Sequence, residues 1–123
     1  MRIFSFEKLI AWQKGRELVL LIYKTTKKFP KEETFGLSSQ MRRCSISITS
    51  NLAEGSRRKS FKDKARFSEI AYSSPLELLN QVILSNDFEY IDEINYLSLR
   101  EKIAEVNMLI DGLYKSQIKN LEH

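Results

Sequence analysis

Apolar positions recur at steps of three and four in four stretches of the chain, which is the spacing of a helix face buried against neighbours. The first stretch runs from about Phe6 to Lys28, with Ala11, Gly15, Leu18, Ile22, Thr25 and Phe29 on one seam. Ser5 is expected to cap this helix and Phe29-Pro30 to end it. Trp12 and Tyr23 fall off the seam and are expected at the core edge. After a glycine-containing turn from Thr34 to Leu37, the positions Leu37, Met41, Cys44, Ile48 and Leu52 predict a second helix, with Gly55 near its C-terminus. The third stretch, about Ser60 to Ser85, places Phe61, Ala65, Ser68, Tyr72, Pro75, Leu79 and Val82 on one line, widened by Phe67, Ile70, Ala71 and Leu78. Pro75 interrupts it, and Ser74-Pro75-Leu76-Glu77 has the form of a capping box with proline at the first helical position, so a kink or a restart is expected. Asn86 to Tyr90 is expected as a loop. The fourth stretch, about Asp92 to Lys119, carries Tyr96, Leu99, Ile103, Val106, Ile110 and Leu113 at heptad spacing.

Two features complicate the second stretch. Ser45-Ile46-Ser47-Ile48-Thr49 alternates with period two and is rich in strand formers, but one short strand without a partner segment leaves its backbone unsatisfied, which favours helix. Between Arg43 and Glu54 no residue carries a charge, although 29% of the chain is charged. A helix with such a gap is suited to contacts on more than one side. Next to its apolar seam lies a second row, Gln40, Arg43, Ser47, Asn51, Glu54 and Arg58, again at steps of three and four. Its amides and hydroxyls predict polar contact in an oligomer or a side-chain network. Together the four segments predict an all-α fold, an antiparallel up-down four-helix bundle.

Charge is unevenly distributed. Residues 1 to 66 hold 16 Lys/Arg and 6 Asp/Glu, a net of +10, whereas residues 67 to 123 hold 4 and 10, a net of −6. Helices of opposite sign can neutralise one another, within a chain or between subunits. Alternatively, Arg57, Arg58, Lys59, Lys62, Lys64 and Arg66 form a phosphate-binding patch for RNA or DNA. Against the second reading, the run lacks aromatic interleaving and any recognised nucleic-acid motif.

Length, 123 residues with 42% apolar content, fits one domain, taken as residues 1–120. Leu-Glu-His at 121–123 resembles the remnant of a purification tag. The longest uncharged apolar run, Leu18 to Tyr23, is too short to span a membrane, and Arg2, Glu7 and Lys8 lead into no signal-peptide core, so a cytoplasmic protein is expected. His123 is the only histidine and the four glycines are scattered, which removes His-based triads, Glu-x-x-His metal pairs and a phosphate loop. No metal, cofactor or enzymatic activity is expected. Glu54 and Glu77 are the one candidate acid pair, although Arg58 lies four residues beyond Glu54 and supplies an ion-pair partner. Cys44, the only cysteine, is expected as a small core thiol.

The run Phe6-Glu7-Lys8-Leu9, Ala11-Trp12-Gln13-Lys14, Tyr23, Thr26, Phe29-Pro30, Glu33, Phe35-Gly36-Leu37, Gln40-Met41-Arg42-Arg43, Ser47-Ile48, Ser50-Asn51-Leu52-Ala53-Glu54-Gly55 and Arg58 resembles the small four-helix-bundle family encoded by intervening sequences of bacterial 23S ribosomal RNA genes. The resemblance covers the chain to about Asn120. It departs from the family pattern at Thr49, usually proline, at Gly15 and Cys44, often alanine, and at Tyr72-Ser73, often Arg-Gly. It implies a bundle that assembles into a ring-like homopentamer. It also implies kinship with the accessory protein of diversity-generating retroelements, a basic pentamer that engages a reverse transcriptase and nucleic acid. A non-enzymatic nucleic-acid-binding or protein-scaffolding module is therefore expected. A purely structural oligomer with an unidentified protein partner is the alternative.

Overall fold

The computed structural model describes residues 1–121; the last two residues of the expected tag remnant lie outside the described residues. The chain forms four α-helices, α1 (Ile10–Thr26), α2 (Leu37–Ser56), α3 (Phe61–Asp87) and α4 (Glu93–Leu121), and no strand among the described residues. Short 3-10 turns at Ser5–Lys8 and Lys31–Glu33 precede α1 and α2. Each helix packs on its two neighbours in a cycle: α1 on α2, α2 on α3, α3 on α4 and α4 back on α1. The diagonal pairs do not meet, which is the arrangement of an up-down bundle with short connections.

The buried side chains follow the expected seams on three helices. Leu18 and Ile22 of α1, Met41 and Ile48 of α2, and Leu99, Val106 and Ile110 of α4 are fully enclosed in one core. No helix among the described residues is long and apolar enough to cross a membrane. The alternating Ser45–Thr49 segment is helical, because as part of α2 its backbone bonds are met within the segment.

α3 keeps most of its expected seam, with Ala65, Ser68, Ala71, Pro75, Leu78 and Val82 buried, but Phe61, Ile70 and Tyr72 are exposed, and Ser74 and Ser85 join Ala65, Ser68 and Ala71 on the inner line. These small side chains let α2 approach closely. The Cys44 thiol donates to the Ser74 carbonyl at 3.2 Å, and the Ser74 and Ser47 hydroxyls are 3.4 Å apart. Gly55 belongs to the same contact: a Cβ there would sit 2.8 Å from Phe67 Cβ. It is thus a buried close-approach residue inside α2 and not the left-handed cap its position suggests, since α2 ends at Arg57 in right-handed geometry.

Two local expectations are corrected. Ser5 does not cap α1: it opens the 3-10 turn, where the Glu7 carboxylate accepts the Phe4 N–H at 2.8 Å, and Leu9 precedes the helix. Pro75 neither restarts α3 nor sits in a capping box. The helix continues through it, and Ser74 is turned inward toward α2.

The ring of Pro75 is fully buried. Restoring its backbone hydrogen bond and removing the clash with the preceding turn is worth about 3 kcal/mol, while deleting two buried ring carbons costs about 1.6 kcal/mol. Pro75→Ala is therefore expected to stabilise the fold by about 1 kcal/mol in chemical denaturation. A loss of stability would show that α3 gains nothing from an uninterrupted ladder at this point.

Candidate functional site

The six cations of the basic run stand where α2 ends and α3 begins. Arg57, Arg58 and Lys59 lie in the connection, and Lys62, Lys64 and Arg66 lie in the first two turns of α3. Ser60 caps α3, its hydroxyl accepting the Asp63 N–H at 3.1 Å. The positive end of a helix dipole disfavours cations in the first turns, so this placement costs stability unless an anion is supplied.

Asp63 supplies one carboxylate in the first turn of α3, but it stands against three cations there. Among the described residues none of the six cations has a carboxylate within 4.0 Å; the ion pairs are Lys14 and Lys102 with Glu17, Lys102 with Glu105, and Lys115 with Asp111. Of the acidic second half, Glu69 accepts the Tyr114 hydroxyl at 3.4 Å. The ion pair that links α1 and α4, Lys102 with Glu17 at 3.2 Å, joins a cation of the acidic half to an anion of the basic half and so leaves the net charges of both halves uncompensated.

Aromatic faces accompany the run after all. The Arg58 guanidinium lies over Phe67, 4.6 Å from the ring centre, and the Lys64 ammonium over Phe61 at 5.4 Å. Phe61 and Lys64 are three residues apart, a spacing that brings side chains together on a helix and was readable in advance. The cations divide accordingly. Lys62 and Arg66, four apart, share an exposed face, while half-buried Lys64 lines a cleft of about 290 Å³ with Phe61, Ser68, Leu113 and Gln117. Ser68 donates to Gln117 at 2.7 Å across that cleft, tying α3 to α4.

The polar row of α2 splits. Half-buried Ser47 and Asn51 bond within the chain, the Asn51 amide donating to the Ser47 carbonyl at 2.8 Å and to its hydroxyl at 3.2 Å. Gln40, Arg43 and Glu54 are exposed. Glu54 and Glu77 are both exposed as well. Among the described residues no group of three or more His, Cys, Asp or Glu is placed to hold a metal ion.

Cys44 is enclosed, and burial, followed by the nearby Glu77 charge, pushes its thiol up to about 12. A thiol so raised is neutral at physiological pH and is no nucleophile. Its folded-state pKa exceeds the unfolded value of 9.0, so its contribution to stability is complete below pH 9.0 and is lost as pH climbs toward 12. The stability difference between wild type and Cys44→Ala is expected to be constant below that window and to shrink within it. Paired denaturation curves across alkaline pH check the slope.

A family model described as 23S rRNA-intervening sequence protein matches residues 7–112. Among solved structures, the chain is similar to a protein of unknown function from the S23 ribosomal protein family of Bacteroides thetaiotaomicron, at 26% identity and a TM-score of 0.77, covering 86% of this chain and 99% of that one. No curated protein matches it.

Proposed function

We propose, for a chain that belongs to the 23S rRNA-intervening sequence protein family, that it works as a homo-oligomeric scaffold holding nucleic-acid phosphates on the cations from Arg57 to Arg66. One observation carries the reading: six cations with no carboxylate within 4.0 Å among the described residues, three of them in the first turns of α3 against Asp63 alone. The backbone phosphates of RNA or DNA supply the missing negative charge without regard to sequence. The aromatic rings that hold Arg58 and Lys64 in place lower the entropy lost when those side chains bind.

Oligomerisation is supported by the outer surface of α2. Ile46, Ser50 and Ala53 follow at steps of four and three, exposed or half-exposed, within the charge-free gap between Arg43 and Glu54. The small inner residues of that gap serve α3, whereas this outer strip stays open to solvent. Repeating the basic end around a ring, a pentamer in the form the family resemblance implies, multiplies a contact that is weak in one subunit. A carboxylate on the strip would be buried unpaired in the assembly while remaining solvated in the monomer. Ile46→Glu is thus expected to dissociate the oligomer without unfolding it, as read by light scattering and circular dichroism. A monomer in the unmodified protein at micromolar concentration would remove this part of the proposal.

For the nucleic-acid part, affinity for single- and double-stranded RNA and DNA is expected to fall steeply between about 50 and 200 mM salt. The log–log slope is expected to become shallower by about two on Lys62→Ala with Lys64→Ala. Absence of binding to all four at the lower salt would favour the alternative, a structural oligomer whose partner is a protein.

A further inference from the structure

At the opposite end of the bundle, the C-terminal end of α1 and the N-terminal end of α2 enclose an open cleft of about 440 Å³. Ser38 lines it and is only 7% exposed, yet among the described residues its hydroxyl has no hydrogen-bond partner. Other buried serines do: the Ser45 hydroxyl donates to the Arg42 carbonyl at 2.9 Å and that of Ser85 to the Gln81 carbonyl at 2.8 Å. The backbone donors at the same point are also idle. The helical ladder of α2 begins with Gln40 N–H to Gly36 carbonyl at 3.0 Å, and the Leu37 N–H goes to Glu33 at 3.3 Å, which leaves the N–H groups of Ser38 and Ser39 to the cleft.

Cations surround these donors. Arg42 is held by the Thr26 hydroxyl, which accepts from its Nε at 2.8 Å, by the Tyr23 carbonyl, which accepts from its Nη2 at 3.5 Å, and by the Tyr23 ring, 4.4 Å from its guanidinium, which fixes the cation at the cleft. Lys27 and Lys31 line the same cleft, and neither has a carboxylate within 4.0 Å among the described residues. Of the two carboxylates in the adjoining 3-10 turn, Glu33 is engaged on both oxygens, by the Leu37 N–H and by the Tyr90 hydroxyl at 3.0 Å, and Glu32 is exposed. Phe35, 95% exposed, stands at the rim. A buried serine whose unbonded hydroxyl opens on the cleft, free helix N–H groups and three cations suit a compact dianion, and a bare aromatic beside them suits a planar ring.

We infer that this cleft binds the phosphate monoester of a nucleotide, the phosphate on Ser38, Ser39 and Arg42 between Lys27 and Lys31, and the base on Phe35. The 20 residues of α2 separate it by about 30 Å from the basic cluster at the other end, so it stands whether or not that cluster binds nucleic acid. The phosphate belongs either to a free nucleoside monophosphate or to the 5′ end of a strand.

The test titrates the full chain, followed by amide NMR and calorimetry, with adenosine monophosphate, adenosine, inorganic phosphate, and one short oligoribonucleotide bearing either a 5′-phosphate or a 5′-hydroxyl. A preference of about tenfold or more for the phosphorylated member of at least one pair is expected, with shifts at the Ser38 and Ser39 amides. Preference in the mononucleotide pair identifies the free nucleotide as sufficient; preference in the strand pair alone identifies the 5′ end. Lys27→Ala with Lys31→Ala, both exposed, should abolish the preference, Phe35→Ala should weaken nucleotide but not inorganic phosphate binding, and Lys62→Ala with Lys64→Ala should leave the preference intact. Equal affinity within both pairs, or a preference that survives Lys27→Ala with Lys31→Ala, overturns the inference.

Discussion

A methyl group on Gly55 would stand 2.8 Å from Phe67 Cβ, and the same narrow separation lets the Cys44 thiol reach the Ser74 carbonyl and Ser47 meet Ser74. This close approach of α2 to α3 through small side chains is what the remaining architecture is built around. Helix axes approach this closely only where no long side chain intervenes, and the contact then gains in dispersion what it lacks in apolar area. The serines on the inner line of α3 are the price, and hydrogen bonds offset it: Ser74 through Ser47, Ser85 through its own helix and Ser68 through Gln117.

From that contact the placement of charge follows. With α2 and α3 pressed together, the connection between them is short, and cations from the end of one helix and the start of the other crowd one end of the bundle. At the far end, α1 and α2 are joined through a longer connection with its own 3-10 turn, and the chain there opens into a cleft instead of closing. Both ends are rich in cations, with Asp63 at one and Glu32 and Glu33 at the other as their nearest carboxylates in the sequence. Of the acidic second half, Glu69 is engaged by Tyr114. The middle of α2, between the two ends, carries no charge at all, and its outer strip is left to water in the isolated chain. A scaffold that binds phosphate at its ends and a copy of itself along its flank uses each of these surfaces once.

The helices, their order and most of the core were legible in the sequence, since apolar side chains at helical spacing report burial wherever a helix presents one oily stripe. α4, with Leu99, Ile103, Val106 and Ile110, and α1, with Leu18 and Ile22, are such cases. The run of cations and the charge-free gap were legible too, being properties of composition along the chain. So was the neutral, enclosed character of Cys44. What the pattern missed on α3 was Ser74 and Ser85, buried where no apolar spacing pointed, and the outward turn of Phe61 and Tyr72: hydrophobicity does not distinguish a small polar residue that fits a tight contact from one that faces water. The capping box at Pro75 failed for a related reason, because local residue preference marks a possible helix start but tertiary packing keeps α3 helical through it. Whether the basic run is neutralised, and that Ser38 is buried without a partner in a cationic cleft, depends on distances between residues far apart in sequence. Those distances exist only once four helices have chosen their neighbours, and so the tertiary structure alone decided them.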